Sequence, residues 1–168
     1  MLYKEILEDI RSTNTHWALA VFGNRGFHAL FIYRISNWLW KMKVPLIPLI
    51  LTRIIQILYA IDIDWRARIS GGVTIIHGVG LVIGSNASVK KGCTLYHGVT
   101  LGISNSKNDG FPQVDEDVLI GAGAKILGQV HLGRGCRIGA NAVVVKDVPE
   151  YATAVGIPAK IYPKNRMM

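Results

Sequence analysis

Between Ile63 and Val144 an aliphatic residue returns every six positions, and few folds accommodate that spacing. The series runs Ile63, Ile69, Ile75 and then, after a two-residue shift at Leu81 and Val82, Ile83, Val89, Leu95 and Leu101. Past an irregular stretch it resumes as Val114, Ile120, Ile126, Leu132, Ile138 and Val144. Four places after many of these stands something small or β-branched, as at Val73, Ala87, Cys93, Val99, Ala124, Cys136 and Ala142. A six-residue period suits neither the 3.6-residue turn of a helix nor the two-residue alternation of a strand, so the repeat itself is the structural unit. It predicts a mainly β chain folded as a left-handed parallel β-helix, with three hexads to a triangular coil. The aliphatics point into the prism, the small residues fill narrow positions, and Gly occupies corners that need positive φ. Coils then stack at about 4.8 Å. An ordinary sandwich with coincidental spacing is the alternative, and a phase held on both sides of the irregular stretch argues against it.

The repeat divides the chain into a helical region over residues 1–60 and a β-helix domain with its tail over 61–168. Apolar stripes predict a helix from about Phe27 to Met42 and another over Val44 to Ile61. The second of these is nearly continuous in Leu and Ile. Pro45, Pro48 and a central Arg53 oppose a membrane-spanning reading, and a solenoid needs an apolar cap on its first coil in any case. The segment reads first as a core or oligomer-forming helix, and Lys41 and Lys43 beside Trp38 and Trp40 make peripheral contact with a membrane surface the second reading. The formal net charge of +8 points to acidic partners such as phosphates, anionic glycans or a membrane surface. No nucleic-acid-binding module accompanies it. Cys93 and Cys136 fall on inward-facing small positions and read as core, not as a disulfide or a metal pair. With no signal peptide, they predict a cytoplasmic protein, at most lying against the inner face of the membrane. No metal is expected.

The chemistry begins at Asp62, with His77-Gly78 following fifteen residues later. Further on come Tyr96-His97-Gly98-Val99-Thr100-Leu101-Gly102, then Ile120-Gly121-Ala122-Gly123-Ala124-Lys125-Ile126-Leu127-Gly128, and finally Val155-Gly156-Ile157-Pro158-Ala159-Lys160. In this order the chain resembles the serine acetyltransferase branch of the hexapeptide-repeat acyltransferases, from Asp62 to about Tyr162. The resemblance implies a homotrimer, or a pair of trimers, that uses acetyl-CoA as co-substrate and carries no permanently bound cofactor. It implies His77 as general base, paired with Asp62. Imidazole titrates near neutrality and suits removal of a hydroxyl proton, while a carboxylate fixes its tautomer. It further implies a coenzyme A groove at Gly102, Gly121, Ala122 and Ala140, with Arg137 and Lys160 for the phosphates and Lys164 as a further basic candidate. His97 lies one coil from His77 on the same face and is an acceptor- or thioester-holding candidate, a passive role being the alternative. His16, His28 and His131 read as bystanders.

The stretch Ile103 to Gln113 breaks the phase, is polar, and predicts a protruding loop. Here the chain departs from the branch it resembles. Gly102 is followed by Ile103 where those enzymes carry a Gly-Gly-Thr-Gly run. Gly110-Phe111-Pro112 stands where they carry Arg-His-Pro, and Ile76 where an Asp precedes the catalytic His. A zwitterion entering such a site would lose water without gaining charge-assisted partners. The expected acceptor is therefore a hydroxyl of a sugar or polysaccharide, as in exopolysaccharide or capsule O-acetyltransferases of the branch, with Phe111 stacking on a pyranose. Serine O-acetylation is the alternative. A non-catalytic solenoid serving in assembly is the second alternative.

Overall fold

The computed structural model describes residues 2–13, 15–104 and 110–163. Four helices come first, α1 (Leu2–Ser12), α2 (Trp17–Gly23), α3 (Arg25–Lys41) and α4 (Ile47–Tyr59). The remainder is a three-sided parallel β-helix. Its first face stacks β1 (Asp62–Ile63), β4 (Val82–Ile83), β7 (Thr100–Gly102), β10 (Lys125–Leu127) and β13 (Val143–Val144). The second stacks β2 (Arg68–Ile69), β5 (Ser88–Val89), β8 (Gln113–Val114) and β11 (His131–Leu132). The third stacks β3 (Thr74–Ile76), β6 (Thr94–Tyr96), β9 (Leu119–Ile120), β12 (Arg137–Ile138) and β14 (Thr153–Val155), closed by an antiparallel β15 (Lys160–Tyr162).

Every aliphatic of the six-residue series is at most 5% exposed, so the series is the inner lining of the prism. Full burial of such a side chain is worth about 1.5–3 kcal/mol. The small positions form a second inward column, in which Ala67, Ala87, Cys93, Val99, Ala124, Cys136 and Ala142 are wholly buried. Partners on adjacent coils give each coil's length. Gln113 pairs with His131 and Val82 with Thr100, eighteen residues apart, whereas Thr74 pairs with Thr94, twenty apart. The two extra residues are not at Leu81 and Val82. Ile76 still pairs at the longer spacing with Tyr96, while the Gly98 amide donates to the Val79 carbonyl, so the insertion lies in the corner 77–80. Leu81 stays fully buried in the small-residue column between Ile61 and Val99, which is why it looked like part of the shift. The other excursion joins β7 to β8. Its residues 105–109, on which the expectation of a protruding loop rests, lie outside the described ones.

Stacked strands leave an unpaired edge at the first coil, and the helices satisfy it. Asp9 and Arg34 are 1% and 3% exposed and form a two-pronged ion pair, Nε to Oδ2 at 3.0 Å and Nη2 to Oδ1 at 3.2 Å. The same guanidinium donates to the carbonyls of Ile69 and Ser70, and the Asp9 carboxylate accepts from the Gly72 amide. Burial pushes the Asp9 carboxyl above its usual range, against the opposing pull of Arg34. Tyr33 Oη donates to the Ala67 carbonyl at 2.6 Å, and Asn37 to that of Trp65 at 2.7 Å. At Gly26 any Cβ would sit 2.2 Å from the Ile75 carbonyl oxygen, so α3 can back onto β3 only through glycine. The helices thus seal the β-helix by polar contact with its backbone, and the apolar cap expected from sequence is only part of the seal. Their bounds also differ from expectation. The segment Val44 to Ile61 yields a helix only from Ile47 to Tyr59, because Leu46 adopts φ 62 and Ala60 is left-handed.

Cys93 and Cys136 are free and fully buried. Burial pushes the thiols up, to about 11 for Cys93 and about 12 for Cys136. The native protein is therefore expected to resist a chromogenic disulfide reagent at neutral pH, both thiols titrating only in denaturant. Rapid native labelling of either would place it outside the core.

Candidate functional site

The corner that joins the third face to the first carries the candidate catalytic groups. His77 follows β3 directly and adopts φ 64, and Gly78 and Gly80 follow at φ 73. A Cβ on Gly78 would approach Ile61 Cδ1 to 2.6 Å, so glycine lets this enlarged corner fold against the first coil. Gly80 donates to the Ala60 carbonyl at 2.7 Å. The side chain of His77 is exposed at this enlarged corner. One coil on, His97 presents its imidazole beside it, ring centroids 6.1 Å apart and planes at 59°. The expectation that the two imidazoles share a face is met.

Above His97 the corner continues as a backbone ladder. Gly123 donates to the His97 carbonyl at 2.9 Å and Asn141 to that of Ala122 at 2.8 Å. His97, Ala122 and Ala140 thus occupy equivalent places on successive coils, a column with two imidazoles at one end and small side chains at the other. Gly121 belongs to the same corner, but its lack of a side chain has a structural cause. A Cβ there would lie 2.7 Å from the Ala140 amide nitrogen. Arg137 on β12 and Lys160 on β15 are exposed on the third face toward its far end. Lys164 lies outside the described residues.

Asp62 begins the first face, next to the same corner, paired with Val82. Among the described residues no hydrogen bond joins it to His77. Its Oδ2 accepts instead from Gln56 Nε2 of α4 at 3.3 Å. The reading of Asp62 as a residue tied to the preceding helix region thus describes its contact here, and the direct Asp–His pair is not formed. Gln56 in turn accepts from Arg53.

Phe111 and Gly102 are elsewhere. Both lie at the corner between the first and second faces, and the Phe111 ring covers Gly84 so closely that a Cβ there would be 2.4 Å from Cε1. Within one chain, then, the predicted groups fall on opposite edges of the first face. The three remaining histidines have local roles. His16 caps α2, His28 bridges Tyr59 Oη and the Val21 carbonyl, and His131 bonds Asp115. Lys90 first, then His131, hold the Asp115 carboxyl below its usual range.

Sequence reasoning missed three groups. Lys125 Nζ donates to the Gly98 carbonyl at 2.6 Å and to Thr100 Oγ1 at 3.1 Å, pinning the backbone beside His97. Gln56 holds Asp62. Arg25 lines a cavity of about 370 Å³ that opens onto His77, together with Thr15, Leu19, Asn24, Gly26 and Ile76. Only the Lys125 motif gave a signal in sequence, because the other two depend on how the helices dock. Among the described residues no His, Cys, Asp or Glu cluster could hold a metal ion.

A model of the family described as bacterial transferase hexapeptide (six repeats) matches residues 111–146. A solved structure of serine acetyltransferase in complex with cysteine superposes with a TM-score of 0.91 at 36% identity, over 95% of this chain and 69% of that one. The chain belongs to the hexapeptide-repeat acyltransferase family. Within the family, a serine acetyltransferase complex with CoA superposes at TM-score 0.89 and 37% identity, over 95% of this chain and 69% of that one. The serine acetyltransferase of Escherichia coli (strain K12) is 40% identical over 141 residues, 83% of this chain and 52% of that protein. The chain thus spans about half the length of the curated relatives it matches. None of these names refers to a glycan, so the family is as expected from sequence but the exopolysaccharide and capsule assignment gains no support from them.

Proposed function

We propose that this chain is an acetyl-CoA-dependent O-acetyltransferase in which His77 is the general base, and that its acceptor is L-serine. The exposed imidazole of His77 at the mouth of a cavity, beside His97 and a column of small residues, carries the reading. In the reaction His77 takes the hydroxyl proton as the oxygen attacks the thioester carbonyl. The tetrahedral intermediate collapses, the C–S bond breaks, and the imidazolium returns the proton to the departing thiolate. No covalent enzyme intermediate is required. Asp62, held by Gln56 next to the same corner, is the carboxylate available to support the imidazolium electrostatically. Ala122 and Ala140 let the pantetheine arm approach main chain, while Arg137 and Lys160 meet the phosphates. Serine acetyltransferase structures in complex with CoA and in complex with serine support the donor and the acceptor of this reading. Because the predicted groups divide between two edges of one face, the complete site is assembled in a homotrimer, where an edge of one chain meets the other edge of its neighbour.

A specific observation favours a second acceptor. The described cavity lining before His77 includes one cation, Arg25, and no carboxylate. A serine carboxylate would find a partner there and its ammonium would not. A sugar hydroxyl, neutral or on an acidic sugar, suits that lining, with His97 and Phe111 as acceptor contacts. Release of coenzyme A thiol with L-serine, compared with neutral and acidic sugars, decides between them. Serine is expected to give the highest kcat/KM. A sugar exceeding it transfers the reading to the glycan acceptor, and no thiol release with either leaves the non-catalytic solenoid.

A further inference from the structure

Helix α4 is inside out. Its inward stripe is Pro48, Thr52 and Ile55, whereas Ile50, Ile54, Ile57 and Leu58 recur at helical spacing on the outward side, 42–82% exposed. A helix on a protein surface normally turns its polar residues to water. Here the polar Thr52 is buried and the aliphatics face out, with Arg53 among them. Ile54 and Leu58 also border an apolar groove of about 440 Å³ that runs between the helices past Phe31 and Val21. The exposed face therefore continues into a recess and forms a patch of the kind that marks an interaction surface.

Charge says what covers it. From Ile10 to Ile61 the sequence contains no Asp or Glu, while Arg11, Arg25, Arg34, Lys41, Lys43 and Arg53 all fall in that interval. Only Arg34 of these is buried on a carboxylate. Lys41 and Lys43 are exposed just ahead of α4, next to Trp38 and Trp40, each 44% exposed. Cations flanking an apolar face, with tryptophans at the boundary and no acid in the same stretch of sequence, complement an anionic bilayer interface. No helix among the described residues is long and apolar enough to cross a membrane, so α4 would lie in the interface plane.

We propose that the outward face of α4, with Lys41, Lys43 and Arg53, docks the protein on an anionic lipid surface. The assignment is independent of the acceptor. Cosedimentation of the full chain with phosphatidylcholine vesicles, with and without phosphatidylglycerol, tests it. Binding is expected to the anionic vesicles and to fall sharply on neutral ones. Lys41→Ala with Lys43→Ala should lower the partition coefficient roughly 30-fold. Ile50→Glu with Ile57→Glu should abolish binding while leaving thiol release with a soluble acceptor unchanged. A chain that stays in the supernatant, or partitioning unmoved by the lysine pair, overturns the proposal. So does light scattering that shows the Ile50/Ile57 variant breaking an assembly that the parent chain forms through this face, for then a second copy covers it.

Discussion

His77→Ala is expected to lower the rate of acetyl transfer by roughly 10²–10⁴-fold, the usual worth of a positioned general base. The loss should appear in kcat, with the KM for acetyl-CoA nearly unchanged, because the column of His97, Ala122 and Ala140 is untouched. One structural point shapes the control. His77 sits at φ 64, where a side chain is tolerated poorly unless it is Asn, Asp or His. Alanine adds backbone strain to the chemical loss. His77→Asn keeps the corner and removes the base, so both variants should be equally slow while differing in thermal midpoint. Steady-state thiol release and a melting curve for each give the answer. A turnover that survives in His77→Asn would remove the base assignment.

The second large effect is on stability. Asp9→Ala leaves the Arg34 guanidinium charged, almost wholly buried, and without its carboxylate. Breaking a buried pair in this way costs about 3–5 kcal/mol. For a chain of this size that corresponds to roughly 10 °C in melting temperature. Glu5 lies 3.7 Å from Arg34 but is partly exposed and offers little compensation. Adding Arg34→Met to Asp9→Ala should recover part of the loss, because the unpaired charge is gone. It should not recover all of it, since the carbonyls of Ile69 and Ser70 lose their donor. A midpoint unchanged in Asp9→Ala would show that the clamp does not hold the first coil.

The β-helix was legible because its lining repeats. Thirteen aliphatics at six-residue spacing, in three runs, point to one topology, and all of them are inside. The helical region was legible only as helix. Its join to the solenoid runs through Arg34, Tyr33 and Asn37 to backbone carbonyls, and nothing local in sequence marks a carbonyl as needing a donor. The corner at His77 shows both sides of this. Its enlargement was visible as a change of phase, yet periodicity placed it at Leu81, since a buried leucine in a column of small residues resembles a misplaced repeat. The Asp62–His77 interval was read as a carboxylate–imidazole pair, which is not formed here, and the hydrogen bond from Gln56 that holds Asp62 instead depends on where α4 ends. Phe111 was assigned to the acceptor from its place in a motif, and its packing on Gly84 is a tertiary contact that no spacing encodes.

The two ends of the prism are closed by different means. The first coil is held by a buried ion pair and several side chain–carbonyl bonds, whereas the last is finished by β15, which covers only the edge of the third face and whose three residues are all exposed. In a stack where each layer touches only its neighbours, such asymmetry gives the domain a direction. Layers are expected to peel from the C-terminal end, with β15 showing faster amide exchange than the strands of the first coil. Arg137 and Lys160 belong to the layers that open first, and His77 to those that open last. On that expectation the chain keeps its rigidity at the His77 corner and its give around Arg137 and Lys160.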